Sequence, residues 1–239
     1  MTGGLFKAGI AEGLGVFFLV LFGGAAICMD TYLASTQQGG IGLLAIALAH
    51  GIALMIAVYI AAGISGGHIN PAISIGLAII GKFGAKEASV YVIMQILGGV
   101  VGGLAVWSLF PTMRDTPPYL GTPQLGEGVG MLQGIGTEAL MTFALMTVVL
   151  MTAIDPSRRA RQMFGLLIGL TVTIAILASG PFTGGAVNPA RYLGPAGVSG
   201  NLTPQAGVYI AGPILGAIVA GIFYKIFLET KEEQQESGG

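Results

Sequence analysis

Two short motifs place polar residues and a proline inside long apolar stretches of this chain. They are SGGHINPA, residues 65–72, and TGGAVNPAR, residues 183–191. Asparagine is a favoured helix cap and proline is favoured in the first turn, so each motif predicts the start of a helix. Asparagine amides and the positive ends of helix dipoles would orient a neutral dipolar molecule and repel a cation. The residues concerned are Asn70, Pro71, Ala72, Asn188, Pro189 and Ala190.

Residues for covalent or metal chemistry are missing from the sequence. There is no nucleophile with a suitably spaced base, no metal-ligand cluster and no phosphate-binding glycine motif. Cys28 is the single cysteine, which excludes an intrachain disulfide and a thiolate metal site. The net charge is -1 and no basic cluster is present, so the electrostatic footprint of a nucleic-acid-binding protein is absent. We therefore expect no enzyme activity, no metal, no cofactor and no nucleic-acid partner.

The composition predicts an integral membrane protein. Hydrophobic residues make up 54% of the chain and charged residues 9%, and the mean hydropathy is +0.83. An apolar stretch of roughly 20 residues suffices to span a bilayer as a helix. The apolar stretches of this chain are continuous rather than alternating, which argues against a β-barrel. The first stretch carries Glu12 and lacks a clear cleavage site, so we interpret it as a helix rather than a signal peptide. The six predicted spans lie near 5–28, 41–63, 88–109, 133–154, 162–180 and 206–228.

The two halves of the chain resemble each other at an offset of 118 positions, which maps Asn70 onto Asn188 and Gly51 onto Gly169. Because each half has three spans, the second copy starts on the opposite side of the membrane, and the repeats are inverted. Two short helices, about 70–80 and 188–197, are too short to span and are expected to be re-entrant. The predicted fold is an all-α membrane protein with six transmembrane helices and two re-entrant half-helices in an inverted repeat.

The charges between spans predict the orientation of the bundle. Basic residues concentrate at both ends of the chain and in the even-numbered connections, which places both termini in the cytoplasm of a multi-pass protein of the plasma or inner membrane. The Pro- and Gly-rich connection then faces the outside, and the charged tail is expected to be solvated. The predicted units are 1–112 (first half), 113–132 (extracellular loop), 133–228 (second half) and 229–239 (cytoplasmic tail). The basic residues are Lys7, Lys82, Lys86, Arg158, Arg159, Arg161, Lys225 and Lys231, whereas the odd-numbered connections hold Arg114 and Arg191.

With two NPA motifs after the second and fifth spans, and Arg191 three residues past the second asparagine, the chain resembles the aquaporin and aquaglyceroporin family, or major intrinsic proteins, over essentially its whole length. The resemblance implies a passive channel in the lipid bilayer that passes water and small uncharged solutes and excludes protons and ions. It also implies a homotetramer in which each subunit has its own pore. Pore diameter, lining hydrogen-bond groups and an arginine set selectivity in such channels.

The resemblance further implies a narrow selectivity filter formed by His50, Ile176, Gly185 and Arg191. This quartet is similar to that of plant tonoplast intrinsic proteins of the ammonia-permeable kind. An apolar side chain and a missing side chain leave one corner open, while the histidine and the arginine supply hydrogen-bond partners, so we expect water and ammonia to pass. Glycerol facilitators carry an aspartate and a basic residue where this chain has Tyr192 and Ala196, which counts against glycerol.

Two glutamates occupy comparable positions in the first and fourth spans, Glu12 and Glu138. Carboxylates inside a membrane would suit a proton-coupled transporter, but each could instead accept backbone N–H groups from the re-entrant loop of its own half. The family resemblance implies the second role, structural support. We interpret His68 as a structural hydrogen-bonding residue. The alternatives that stay open are a glycerol facilitator of the same fold, an ion-coupled secondary transporter and a membrane scaffold with a closed pore.

Overall fold

The structure is a computed structural model that describes residues 2–154 and 162–229. Arg158, Arg159, Arg161 and Lys231, which support the predicted orientation, lie outside the described residues, and so does the predicted tail beyond Glu229. The described part contains six helices long and apolar enough to cross a membrane, and no strand. The predicted all-helical, six-span architecture is confirmed.

The eight helices follow one another in two sets of four, and the third member of each set is short. Both α5 and α8 continue into a five-residue turn of π-helix, Leu150–Ile154 and Tyr224–Leu228. The helices are α1 (Thr2–Ser35), α2 (Gly42–Ser65), α3 (Pro71–Ile79), α4 (Ala85–Leu109), α5 (Met131–Val149), α6 (Phe164–Thr183), α7 (Pro189–Val198) and α8 (Ala206–Phe223).

The first helix is longer than the sequence predicts. It was expected to end near residue 28, but α1 runs for 34 residues to Ser35. Polar residues at its end do not stop it, because Asp30 has a partner: its carboxylate accepts a hydrogen bond of 2.8 Å from the backbone N–H of Gly42, the first residue of α2. A contact between two helices thus decides this boundary. With the π-helical turns counted, the other predicted spans agree with the structure to within about three residues.

Close packing between helices depends on small residues at the crossings. A Cβ atom on Gly98 in α4 would fall on the carbonyl group of Gly13 in α1, and one on Gly216 in α8 would fall on that of Ala139 in α5. These two crossings are related by the internal repeat. Because lipid tails are as apolar as the helices, such close approach is a main source of attraction between them. These glycines therefore serve helix packing.

The pseudo-twofold axis of the repeat passes near Gly51 and Gly169. A Cβ atom on either glycine would meet the carbonyl oxygen of the other, where α2 crosses α6. The offset of 118 positions maps one glycine onto the other, so this crossing joins equivalent points of the two halves. The inverted repeat is therefore visible in the packing as well as in the sequence.

Both short helices start at an NPA motif. The side-chain oxygen of Asn70 accepts a hydrogen bond of 2.9 Å from Ala72 N, and that of Asn188 accepts one of 3.0 Å from Ala190 N. Proline follows each asparagine in the first turn, where its missing N–H costs nothing. The helices α3 and α7 have 9 and 10 residues, so neither can span a bilayer.

We predict that Gly98→Ala destabilises the protein, because the added methyl group meets the rigid backbone of α1. Overpacking of this kind costs about 1–3 kcal/mol. Gly63→Ala is the matched control, since a Cβ atom at Gly63 in α2 has no neighbour within 4 Å. Thermal unfolding in detergent measures both. Equal midpoints for the two variants would show that the α1–α4 crossing is not tightly packed.

Candidate functional site

The N-termini of the two half-helices are joined to each other by reciprocal hydrogen bonds. Asn70 Nδ2 donates to the carbonyl oxygen of Val187, and Asn188 Nδ2 donates to that of Ile69, each at 2.8 Å. Ile69 and Val187 have φ angles of 53° and 46°, which is unusual for β-branched residues. Each amide has a second hydrogen that these bonds do not use. Since both asparagines line the central cavity, these hydrogens are available there.

Glu12 binds the first re-entrant loop on the side away from the central cavity. Its carboxylate accepts from the backbone N–H groups of His68 (2.9 Å) and Ile69 (2.5 Å). It also accepts from the hydroxyl of Ser65 at 2.6 Å and from the side-chain amide of Gln95 at 2.7 Å. The glutamate is fully buried, and these four donors occupy both of its oxygens.

Glu138 has the same arrangement in the second half. It accepts from the hydroxyl of Thr183 at 2.7 Å and from the backbone N–H groups of Ala186 and Val187 at 3.0 and 2.7 Å. Thr183 is the repeat equivalent of Ser65. Neither glutamate is among the described residues that line the central cavity. The geometry therefore favours structural support over a proton-carrying role for both carboxylates.

A narrow cavity runs between the half-helices and the spanning helices, with a volume of about 30 Å³. A buried water needs roughly 10–15 Å³ by this measure, so only a few water molecules fit. Leucine, isoleucine and valine side chains form much of its wall, which leaves few polar groups to interact with a solute. Every residue predicted for the filter, and both asparagines, line this one cavity: His50, Asn70, Ile176, Gly185, Asn188 and Arg191.

Arg191 is held against the wall of the cavity by two partners. Its Nη1 donates to the carbonyl oxygen of Gly121 at 2.9 Å, and its Nη2 lies 3.0 Å from Nε2 of His50. Nδ1 of His50 lies 2.8 Å from the carbonyl oxygen of Ile46, which can only accept, so this nitrogen carries the hydrogen and Nε2 accepts from the arginine. Arg191 Nε is buried and has no hydrogen-bond partner in residues 2–154 and 162–229.

The backbone at position 185 favours glycine. Its φ is 59°, and a Cβ atom would lie 3.0 Å from the Cα atom of Ile176 and from Oγ of Ser179. A side chain would thus be strained and packed tightly against α6. Together with the buried Ile176 side chain, this leaves a wall without a polar side chain at one corner of the filter.

Some residues of the site did not emerge from the sequence. Ser65 and Thr183 carried a signal, since both are hydroxyl residues at repeat-related positions, and Gln95 is an isolated amide in an apolar span. His68 was assigned a structural role only, yet it also lines the cavity. Gly121 carried no signal, because its carbonyl reaches the site only through the folding of the loop between the halves.

Six spanning helices and two opposed half-helices around a narrow passage define a membrane channel. The chain belongs to the major intrinsic protein family, whose model matches residues 2–224. Members of this family are channels for water and small solutes and are not enzymes.

Similarity to individual relatives extends over nearly the whole chain. Aquaporin TIP4-4 of Zea mays is 40% identical over 223 residues, which cover 92% of this chain and 86% of the relative. Aquaporin TIP2-3 of Arabidopsis thaliana is 40% identical over 220 residues, covering 91% and 86%. Among solved structures, the X-ray structure of the aquaglyceroporin from Plasmodium falciparum matches with a TM-score of 0.83 and 26% identity, covering 94% of this chain and 97% of that one.

Glu138→Gln is predicted to loosen the second re-entrant loop. The amide replaces one acceptor oxygen by an NH2 group that faces backbone or hydroxyl donors, and an unpaired buried donor costs about 1–3 kcal/mol. We expect a lower unfolding midpoint in detergent. Glu127→Gln, at an exposed glutamate of the connecting loop, is the matched control. A Glu138→Gln variant as stable as the control would refute the supporting role.

Proposed function

We propose that the protein is a passive channel that conducts water and ammonia and excludes protons and other ions. The observation that supports this most directly is the shared cavity, which is lined by both NPA asparagines and by the buried guanidinium of Arg191. A passage that offers hydrogen-bond donors and a fixed positive charge suits small neutral molecules with a lone pair.

Proton exclusion is assigned to the centre of the cavity. A water molecule that accepts hydrogen bonds from the free amide hydrogens of Asn70 and Asn188 directs its own hydrogens away from both. This orientation interrupts the hydrogen-bonded chain along which a proton would move. The N-terminal dipoles of α3 and α7 add positive potential at the same point, which also opposes cations.

Selection by size and polarity is assigned to the filter of His50, Ile176, Gly185 and Arg191. The arginine remains charged in an apolar surrounding, where electrostatic repulsion of a cation is stronger than in water. The apolar corner formed by Ile176 and Gly185 imposes no hydrogen-bond requirement, so ammonia can pass as well as water. Tyr192, where glycerol facilitators have an aspartate, is buried and stacks on Tyr209 at 4.3 Å between ring centroids.

We further propose a homotetramer with one pore per subunit, in the plasma or inner membrane, with both termini in the cytoplasm. In this arrangement 1–112 and 133–228 each contribute one half-helix, 113–132 is extracellular and 229–239 forms the tail. Lys82 supports this assignment because it pairs with Glu229 at 2.6 Å, which places one even-numbered connection beside the end of the last span.

The proposed function is tested by stopped-flow light scattering on vesicles containing the purified protein. Osmotic and glycerol gradients are applied without any ion gradient, an ammonium salt gradient is applied in parallel, and the runs are repeated with an added proton or sodium gradient. We expect accelerated water and ammonia entry and little gain for glycerol. Vesicles as tight as bare lipid would refute the channel, fast glycerol entry would favour a facilitator, and flux that needs an ion gradient would favour a transporter.

Arg191→Val is predicted to weaken ion exclusion, because it removes the fixed positive charge and widens the filter. We expect proton leak to rise at least about tenfold, a barrier change of about 1.4 kcal/mol, with faster urea entry. A pH-sensitive dye inside the vesicles measures the leak. Arg114→Ala is the control, since Arg114 binds the carbonyl of Val198 and stacks on Trp107 and is not among the described residues lining the cavity. Unchanged leak in Arg191→Val would contradict the assignment.

A further inference from the structure

A chain of hydrogen bonds leads from Glu12 to the cavity through Gln95. Gln95 is fully buried in α4, and its Nε2 donates to Glu12 Oε2 at 2.7 Å and to Oγ of Ser74 at 3.1 Å. Because Glu12 accepts from all its other partners, the amide must present its NH2 group to the carboxylate. Both amide hydrogens of Gln95 are then used, one for each partner.

Ser74 connects Gln95 to His68 by hydrogen bonds. The serine hydroxyl accepts from Gln95 and has one hydrogen of its own, which it can donate to His68 Nδ1, 3.0 Å away. With the hydroxyl donating in this direction, Nδ1 is the unprotonated nitrogen of a neutral ring. The hydrogen of that ring is on Nε2.

The ring of His68 is fixed in orientation as well. It packs edge-on against Phe83 and Tyr91, with centroid distances of 4.6 and 5.2 Å, and it forms part of the cavity wall. No protein partner of Nε2 is described in residues 2–154 and 162–229, so its N–H is available to molecules in the cavity.

We propose that Gln95 and Ser74 are positioning residues that hold His68 in the Nε2–H tautomer, so that it serves as a hydrogen-bond donor to molecules passing through the pore. This deepens the proposed channel function and rests on it. His50 has the opposite tautomer, since its Nδ1 bonds Ile46 O and its Nε2 accepts from Arg191. His50 therefore accepts a hydrogen bond from the protein, whereas His68 donates one to the solute.

This hydrogen-bonded relay of Gln95, Ser74 and His68 belongs to the first half alone. At the offset of 118 positions, His68 corresponds to Ala186 and Ser74 to Tyr192, whose side chains cannot form the same chain of donors. The polar groups of the two halves of the pore therefore differ, although the backbone repeats.

Gln95→Glu tests the proposal with an almost isosteric change. A carboxyl oxygen in the place of Nε2 carries at most one hydrogen, and the negatively charged Glu12 takes it, so the hydroxyl of Ser74 must turn to donate to residue 95. His68 then receives no donor at Nδ1 and moves its hydrogen there. Nitrogen-15 NMR of histidine-labelled protein distinguishes the two tautomers, and the chain has only 2 histidines to assign.

We expect an Nε2–H ring for His68 in the native protein, an Nδ1–H ring in Gln95→Glu and a mixture in Ser74→Ala, while His50 stays unchanged. Water permeability of Gln95→Glu should fall about fivefold, the effect of one lost hydrogen bond. Gln133→Glu, at an exposed glutamine of α5, makes the same substitution away from Gln95, Ser74 and His68 and should change neither measurement.

A protonated Nδ1 in the native His68, or an unchanged His68 spectrum in a folded Gln95→Glu variant, would overturn the proposal. If Gln95→Glu does not fold, Ser74→Ala decides, because a pure Nε2–H ring there would equally overturn it. Absence of water flux in the native protein would refute the channel function, whereas the tautomer measurement does not depend on flux.

Discussion

The structure depends on one constraint: backbone groups at membrane depth have no water to bind and must be satisfied by the protein. Ile69 and Val187 meet it in the same way. The N–H group of each donates to the glutamate of its own half, and the C=O group of each accepts from the asparagine of the other half. Backbone strain at positive φ costs about 1–3 kcal/mol per residue, and these four hydrogen bonds hold it in place.

Because each half supplies a partner to the other, neither re-entrant loop is complete alone. The side-chain oxygens of Asn70 and Asn188 cap their own half-helices, while their amide nitrogens bind the opposite loop and still present a hydrogen to the cavity. The same side chains thus stabilise the loops and, in the proposed function, contribute to the selectivity of the pore. An asparagine substitution would affect both, so the glutamates behind the loops separate the two effects better.

The two halves of the inverted repeat have similar backbones but different polar side chains at the two ends of the pore. In the second half, Arg191 is fixed between His50 and the carbonyl of Gly121. In the first half, a relay of neutral groups leads to His68. Under the proposed function, a fixed positive charge at one end and a neutral donor at the other would let this fold discriminate against ions without binding the permeating molecule tightly.

The sequence by itself determined the six spans, the inverted repeat and the two half-helix starts, because apolar length and asparagine-proline capping act over a few neighbouring residues. The filter positions came from its resemblance to the major intrinsic proteins. Only the tertiary structure decided where α1 ends, which partners hold Arg191, and that His68 lines the cavity. These features depend on hydrogen bonds between residues that are not neighbours in the chain. Examples are the bond from the Gly42 N–H to the Asp30 carboxylate and the bond from Arg191 to the carbonyl of Gly121. No local pattern encodes such contacts, since they exist only once the helices and loops are packed together.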